Sequence, residues 1–469
     1  MNGAHPAPAV APSFRAPLTS FSSPGAVDHH HDLTMTAAAL PVFDLSGPAA
    51  RQGARAPVPV AFIHLNTTPY WQSLHRDLAR ALPEVELWNL YTRSEGDQPW
   101  ELQQEADVRP VRFFHPKGGS PRMLKAAPYD FITAARIIRW LRDHRVKAVV
   151  LFGYNDVIRL RLLVWCRLHA VACFVASDSN IRDDIEHVRR LKRIVKNAYV
   201  RAFAGAVTGA MPFGSTGIAY FRRYGVARHR IFPLPPGPDY DRFANITREQ
   251  IDAKLAALRL DPARKRLLYV GRLVDRKRVD LLIDAFVHLA SDRPNWDLLI
   301  VGNGPERDAL IARIPTHLRP RATFAGFVND PVDIACVYRC ANALVLPSSY
   351  EPWGLVVNEA AASGLAIVTS DVVGASGDLV IEGFNGRTFK SGSVDALHAA
   401  LVEVTHPDRI VRMQTASGVV LAAFRERFDP ARGLRNALLA SHLLERAAAD
   451  PAPAPDARPA RAPDPSDAF

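Results

Sequence analysis

The sequence predicts an α/β protein built from two doubly wound domains that face each other across a cleft. Short apolar runs alternate with segments of helical period through most of the 469 residues. The alternation breaks at Pro233-Leu234-Pro235-Pro236-Gly237-Pro238, where four prolines in six residues exclude both helix and sheet. It then restarts, and the chain is long enough for two cores of similar size.

The elements follow in order. Val60–Leu65 reads as a strand, Trp71–Leu82 as a helix and Val85–Tyr91 as a strand. Phe131–His144 has helical spacing and leads into the strand Ala148–Phe152, the helix Val157–His169 and the strand Val171–Ala176. Beyond the prolines come Arg266–Val270, the helix Val279–Leu289, and strands at Leu298–Val301, Ala322–Ala325 and Ala343–Leu346. The helix Leu355–Ala362 and the strand Leu365–Thr369 close the series. The expected boundaries are an N-terminal domain over 56–232, a linker over 233–240, a C-terminal domain over 241–428 and a last helix over 429–446. Residues 1–55 and 447–469, rich in Ala and Pro without lasting periodicity, read as disordered tails. The run His29-His30-His31 sits in the first tail, and Met35 offers an alternative start.

Apolar residues make up 48% and charged residues 22%, ordinary for a globular protein. No run of 18 or more apolar residues occurs, so no spanning helix is expected. The N-terminus lacks a secretory pattern, and the expected location is cytoplasmic. Cys166, Cys173, Cys336 and Cys340 lack zinc spacing and read as buried thiols. The net charge of +11 lies in the folded part and suits nucleotide phosphates, anionic lipid or nucleic acid, among which composition does not choose. No motif interleaves aromatic and basic residues, so nucleic acid is not an expected partner.

The chemistry gathers in the second half. A strand ends at Gly271, where the backbone can approach a ligand closely, and Arg272 and Lys277 follow on the loop. Arg272 offers a planar fork for phosphate oxygens and Lys277 a point charge. Gly302-Asn303-Gly304-Pro305 lacks the third glycine of a dinucleotide fingerprint and reads as a tight strand-to-helix turn. The strongest signal is Pro347–Glu359. Glu351 precedes a helix whose N-terminus, at Gly354 and Leu355, presents free amides to an anion. Glu359 lies about one turn beyond. A nucleotide sugar asks for that order: sugar hydroxyls, diphosphate, ribose hydroxyls. Acidic first-turn residues also arise simply from the helix dipole. The combination with Arg272 and Lys277 favours the ligand.

The stretch from about Leu267 to Phe389 resembles the retaining glycosyltransferases of family 4. The matching pieces are Val270–Lys277, Val301–Pro305, Phe324–Val328, Glu351–Glu359 and Asp378–Gly386, in the same order and spacing. The resemblance implies the GT-B fold of two Rossmann-like domains and retention of anomeric configuration. It implies that Arg272 and Lys277 hold the donor diphosphate, and that Glu351 contacts the donor sugar near the reacting carbon. The Gly354 and Leu355 amides would cradle phosphate and Glu359 would bind ribose. The loop Gly326-Phe327-Val328 would lie beside the base, and Asn385 and Gly386 would form a structural turn. Protein cations stand where a metal might, and no D-x-D pair is near, so neither metal nor cofactor is expected beyond the nucleotide-sugar co-substrate.

The N-terminal half should hold the acceptor, a glycan or a lipid-linked acceptor, and here the chain departs from the family. Leu65-Asn66-Thr67-Thr68-Pro69-Tyr70 replaces a glycine-rich turn. Ala176-Ser177-Asp178-Ser179-Asn180 lacks the family's histidine. Asp178 is therefore a candidate base or polariser of the acceptor hydroxyl, with a helix cap as the alternative. His64 and His75 read as structural or as facing the cleft. Residues 181–203 are basic and amphipathic. Ile181, Ile185, Val188, Leu191 and Val195 form one stripe, which rests either on an anionic membrane face or on the sheet.

The expected function is glycosyl transfer (EC 2.4 class) in cell-surface polysaccharide or glycolipid synthesis. The alternative is a catalytically inactive nucleotide-binding relative that acts as a partner or regulatory subunit. A phosphorylase would need a pyridoxal phosphate lysine, which has no good context here, and the missing glycine disfavours a dehydrogenase.

Overall fold

The computed structural model describes residues 56–66, 68–93, 109–113, 123–182 and 190–445, with backbone alone at 123–128 and 190–193. Both terminal tails, Thr67, Ile185 and Val188 lie outside the described residues. The first half comprises β1 (Val58–His64), α1 (Pro69–Ala81), β2 (Val85–Tyr91), β3 (Pro110–Arg112), α2 (Met123–Asp143), β4 (Ala148–Phe152), α3 (Val157–Leu168), β5 (Ala172–Ser177), α4 (Arg190–Ala206), β6 (Gly209–Pro212) and α5 (Ser215–Arg223). The second half begins with α6 (Tyr240–Ala244), α7 (Arg248–Ala257), β7 (Lys265–Val270), α8 (Val279–Leu289), β8 (Trp296–Val301), α9 (Arg307–Arg313), β9 (Ala322–Gly326) and α10 (Pro331–Arg339). It continues with β10 (Ala343–Leu346), α11 (Leu355–Ala362), β11 (Ala366–Ser370), α12 (Ser376–Leu379), β12 (Gly386–Phe389), α13 (Val394–Val404), α14 (Pro407–Arg427) and α15 (Pro430–Ala440).

Two six-stranded sheets result, in the orders β3-β2-β1-β4-β5-β6 and β12-β11-β10-β7-β8-β9. Their strands pair in parallel throughout. Numbered from its own first strand, each sheet has the doubly wound order 3-2-1-4-5-6. The central strands read as unbroken apolar runs because helices cover both faces. Every residue of β4, β10 and β11 is buried. In such a sheet ligands bind beyond the carboxyl ends of the strands where the order reverses. In the second sheet that place is the gap between β7 and β10.

Local chemistry sets the helix starts. Thr68 caps α1 with Pro69 at its first position, and Asp156 caps α3. Thr247 and Gln250 form a reciprocal capping box on α7. The last helix, α15, does not stay with the second sheet. It packs on α1, where Arg435 bonds Glu84 at 2.7 Å. A methyl added at Gly433 would lie 1.9 Å from the Pro233 carbonyl, so α15 also lies flush on the proline linker.

Candidate active site

Three loops at the carboxyl ends of β7, β8 and β9 are laced together through their backbones. Gly271 N–H donates to the Val301 carbonyl at 3.0 Å, and Gly302 N–H donates to the Gly326 carbonyl at 2.7 Å. A methyl at Gly302 would sit 1.8 Å from the Gly271 oxygen, so only glycine allows this approach. Leu273 N–H donates to the Asn303 carbonyl at 3.0 Å, and the Tyr269 hydroxyl donates to the Arg272 carbonyl at 2.9 Å. The segment read as a tight turn thus fixes the neighbouring loop that carries the cations.

That loop is also stitched to the one after β10, because Ser349 N–H donates to the Arg276 carbonyl at 2.9 Å. Lys277 and Glu351, both largely buried, form an ion pair. The Ser348 hydroxyl donates to the same Glu351 oxygen, Oε2, at 3.3 Å. Gly354 then turns the chain with φ +94° into α11, and no side chain caps that helix. A methyl there would crowd Glu351, Leu346 and Val373 at 3.2 Å.

Glu359, in the second turn of α11, is buried. Its Oε1 accepts a hydrogen bond from the Tyr70 hydroxyl of α1 at 2.9 Å, and Oε2 accepts one from the Tyr338 hydroxyl of α10. Burial pushes its carboxyl up to about 7, although both phenol bonds favour the charged form. Burial, reinforced by the Glu359 charge, holds both phenols well above their ordinary value. A cavity of about 210 Å³ is lined by Gly271, Arg272, Phe327, Val328, Val356 and Glu359 on one wall. Tyr70 and its α1 neighbours form the opposite wall. Leu355 begins the helix beside this cavity, and Gly326, with φ +75°, turns the chain toward Phe327. Lys277, Glu351 and Gly354 flank the cavity outside its lining.

From the first sheet, Asp178 follows β5 and stays accessible to water. Surrounding protein still desolvates its carboxyl and raises it, and the Glu351 charge adds to the push. Asn180 donates to the Pro352 carbonyl at 2.9 Å, beside Glu351. Arg182 reaches the Asp371 carbonyl at 2.6 Å and the Ser376 hydroxyl at 2.9 Å. Asp378 accepts from the Ser215 N–H at 2.8 Å and from its hydroxyl at 2.6 Å.

His64 and His75 do not face the cleft. They form a buried pair, Nε2 to Nε2 at 2.8 Å, among Phe62, Trp71, Tyr91 and Phe152. Burial lowers both below the ordinary histidine range, so both rings stay neutral at neutral pH. Asn385 is buried and closes its own turn, accepting from Ile381 N–H at 2.7 Å and donating to the Leu379 carbonyl at 2.9 Å. The four cysteines are buried and unbridged. Among the described residues no group of three or more His, Cys, Asp or Glu gathers in a way that could hold a metal ion. Tyr70 and Tyr338 escaped the sequence reading. Their one trace was the altered loop after β1, which ends at Tyr70.

Residues 250–415 match the family described as glycosyl transferases, group 1. This segment belongs to the group 1 glycosyl transferases. It contains β7 to β12 and all the site residues of the second half. The glycogen synthase of Mycobacterium tuberculosis is 40% identical over 163 residues, which are 34% of this chain and 39% of that protein. The chain thus spans about two fifths of the length of the first curated relatives it matches. Among solved structures, the sucrose-phosphate synthase of Thermosynechococcus elongatus matches with a TM-score of 0.64 at 21% identity, covering 82% of this chain and 99% of that one. Anabaena HepE, in complex with UDP and glucose, matches with a TM-score of 0.60 at 18% identity, covering 82% and 100%. The architecture of the two sheets is GT-B, and the group 1 segment is its second half.

Proposed function

We propose that this protein transfers a glycosyl group from a nucleoside-diphosphate donor to a glycan or lipid-linked acceptor, with retention of configuration, in cell-surface polysaccharide or glycolipid synthesis. The observation that carries this reading is the joining of four groups at the switch point of the second sheet. These are the Arg272 and Lys277 loop, the uncapped start of α11, Glu351 and Glu359.

Cleaving a sugar–phosphate bond leaves negative charge on the diphosphate and positive character on the anomeric carbon. Arg272, Lys277 and the amides of Gly354 and Leu355 would meet that negative charge. Preorganised donors of this kind contribute about 3 kcal/mol each. Lys277 can serve the diphosphate while Glu351 accepts hydrogen bonds from sugar hydroxyls, since a carboxylate offers about four acceptor positions. Glu359 would receive the ribose diol. Phe327 and Val328 give an apolar bed for the base. Asp178, its carboxyl raised by desolvation and by the Glu351 charge, would serve as base or polariser of the acceptor hydroxyl.

A panel of UDP-, GDP- and ADP-sugars tests this reading through donor hydrolysis and transfer to a cell-envelope extract. Arg272→Ala and Glu351→Ala should each lose about 100-fold or more in rate. Wild-type rates in both variants would overturn it.

A lipid-linked acceptor agrees with the surface of the first half. Leu160, Val164 and Leu168 on α3 and Ile194, Val195 and Tyr199 on α4 are exposed. Neither helix contains an acidic residue. Val195 of the predicted stripe therefore faces outward, while Val200, Phe203 and Ala204 face the sheet. This apolar and basic face suits peripheral contact with an anionic bilayer. Among the described residues no helix is long and apolar enough to cross one. Co-sedimentation with phosphatidylglycerol vesicles should fall about tenfold in Val164→Glu/Leu168→Glu, with the melting temperature unchanged. Equal sedimentation would remove the membrane from the proposal.

A further inference from the structure

We infer that the Tyr70 hydroxyl competes with the nucleotide's ribose for Glu359, so that donor entry requires the tip of α1 to withdraw. This inference rests on reading the cavity as a nucleotide site.

Two phenols hold the two oxygens of Glu359, and their settings differ. Tyr338 belongs to α10 of the same half, is wholly buried and moves only with the core around it. Tyr70 comes from the other half, 289 residues away in sequence, and stands on the cavity wall. A ribose diol approaching Glu359 through the cavity reaches Oε1, the oxygen bonded to Tyr70. The volume points the same way. About 210 Å³ lies below the roughly 300–1,000 Å³ of ligand sites, so a nucleotide either extends beyond the mouth or pushes a wall back. The wall made by β7, β8 and β9 is held by backbone bonds at 2.7–3.0 Å between adjacent loops. The wall made by α1 is held across the cavity by side chains, among them the Tyr70–Glu359 bond and Arg76 to Asp239 at 3.1 Å. The α1 wall is therefore the one that yields.

A selectivity follows. A ribonucleotide replaces the phenol's hydrogen bond with its own hydroxyls. A nucleotide without them has no group to offer Glu359 and leaves Tyr70 in place.

Calorimetry on the full chain with UDP, GDP and ADP, and with the 2′,3′-dideoxy form of whichever binds, tests this. Tyr70→Phe removes the competing hydroxyl and keeps the ring. It should bind the ribonucleotide about tenfold more tightly than wild type and the dideoxy form with unchanged affinity. In the wild-type chain, the ribonucleotide should speed amide hydrogen exchange over residues 69–74, and the dideoxy form should not. Equal or weaker ribonucleotide binding by Tyr70→Phe would overturn the inference, as would equal gains for both forms. If wild type binds none of the three diphosphates at millimolar concentration, the nucleotide site itself falls, and this competition with it.

Discussion

Glu359 shows how much one carboxyl can carry. Its folded value of about 7 exceeds the usual 4.5, so the folded state binds the proton more tightly than the unfolded state between those limits. Stability from this group is full below about 4.5 and declines as pH rises through about 7. The cost of ionising it in place is about 3 kcal/mol. Tyr70 and Tyr338 do not titrate in this window. Glu359→Gln should therefore melt above wild type at pH 8.5, and the margin should close at pH 5. A margin independent of pH would show that Glu359 ionises freely. The sequence marked Glu359 by its distance from Glu351, a local pattern. Beyond the altered loop that ends at Tyr70 it gave no hint of the two tyrosines, because hydrogen bonds to Glu359 from 289 and 21 residues away leave no periodicity behind. The same holds for His64 and His75. Each reads as a lone polar residue, and only the packing of β1 against α1 makes them a pair.

At the scale of elements, the long apolar runs were readable and the short edges were not. Strands β4 and β10 are found as read, since burial on both faces demands continuous Val, Leu and Ala. Strand β6 matches β10 in length, but its Gly and Pro break the apolar run, and β3 is three residues at a sheet edge with one apolar position between Pro and Arg. The glycines of the site loops were legible as turns, but the reason for each lies in its neighbours. Gly302 faces the Gly271 carbonyl at 1.8 Å from a would-be methyl, whereas the same test at Gly153 meets nothing within 4 Å. Both have positive φ, +135° and +82°. Gly153→Ala should cost about 1 kcal/mol from backbone strain alone. Gly302→Ala should cost about 3 kcal/mol or more, because two loops must separate. Denaturant midpoints for the pair measure the difference, and equal losses would mean the loops are not held by this contact.

Across the whole molecule, the two halves meet through polar groups on several elements. Asp378 acts as a cap for α5 supplied by the other half: it takes the Ser215 N–H and hydroxyl while its own side chain is almost wholly buried. Desolvation raises its carboxyl and the Ser215 bonds pull it back down. Asp378→Ala should lower the melting temperature by the few degrees that a lost cap of about 1–2 kcal/mol implies. Amide exchange at residues 215–217 should quicken. Nucleotide affinity should hold, since Asp378 lies outside the cavity lining. Unchanged exchange at α5 would show that water replaces the carboxylate without loss.

The return of α15 to α1 has a mechanical result. The polypeptide crosses between the halves twice, once outward at residues 233–238 and once back into α15, and the crossings touch where Gly433 meets Pro233. Two strands joined at a point behave as a pivot. Turning about it breaks polar contacts between the halves but keeps this junction, whereas sliding would pull Gly433 off Pro233. Helix α1 is gripped by this pivot at its far end, near Glu84, and carries Tyr70 at the near end. A swing of about five degrees therefore becomes a displacement of about 2 Å at the cavity, with the thirteen residues of α1, about 20 Å, as the lever arm.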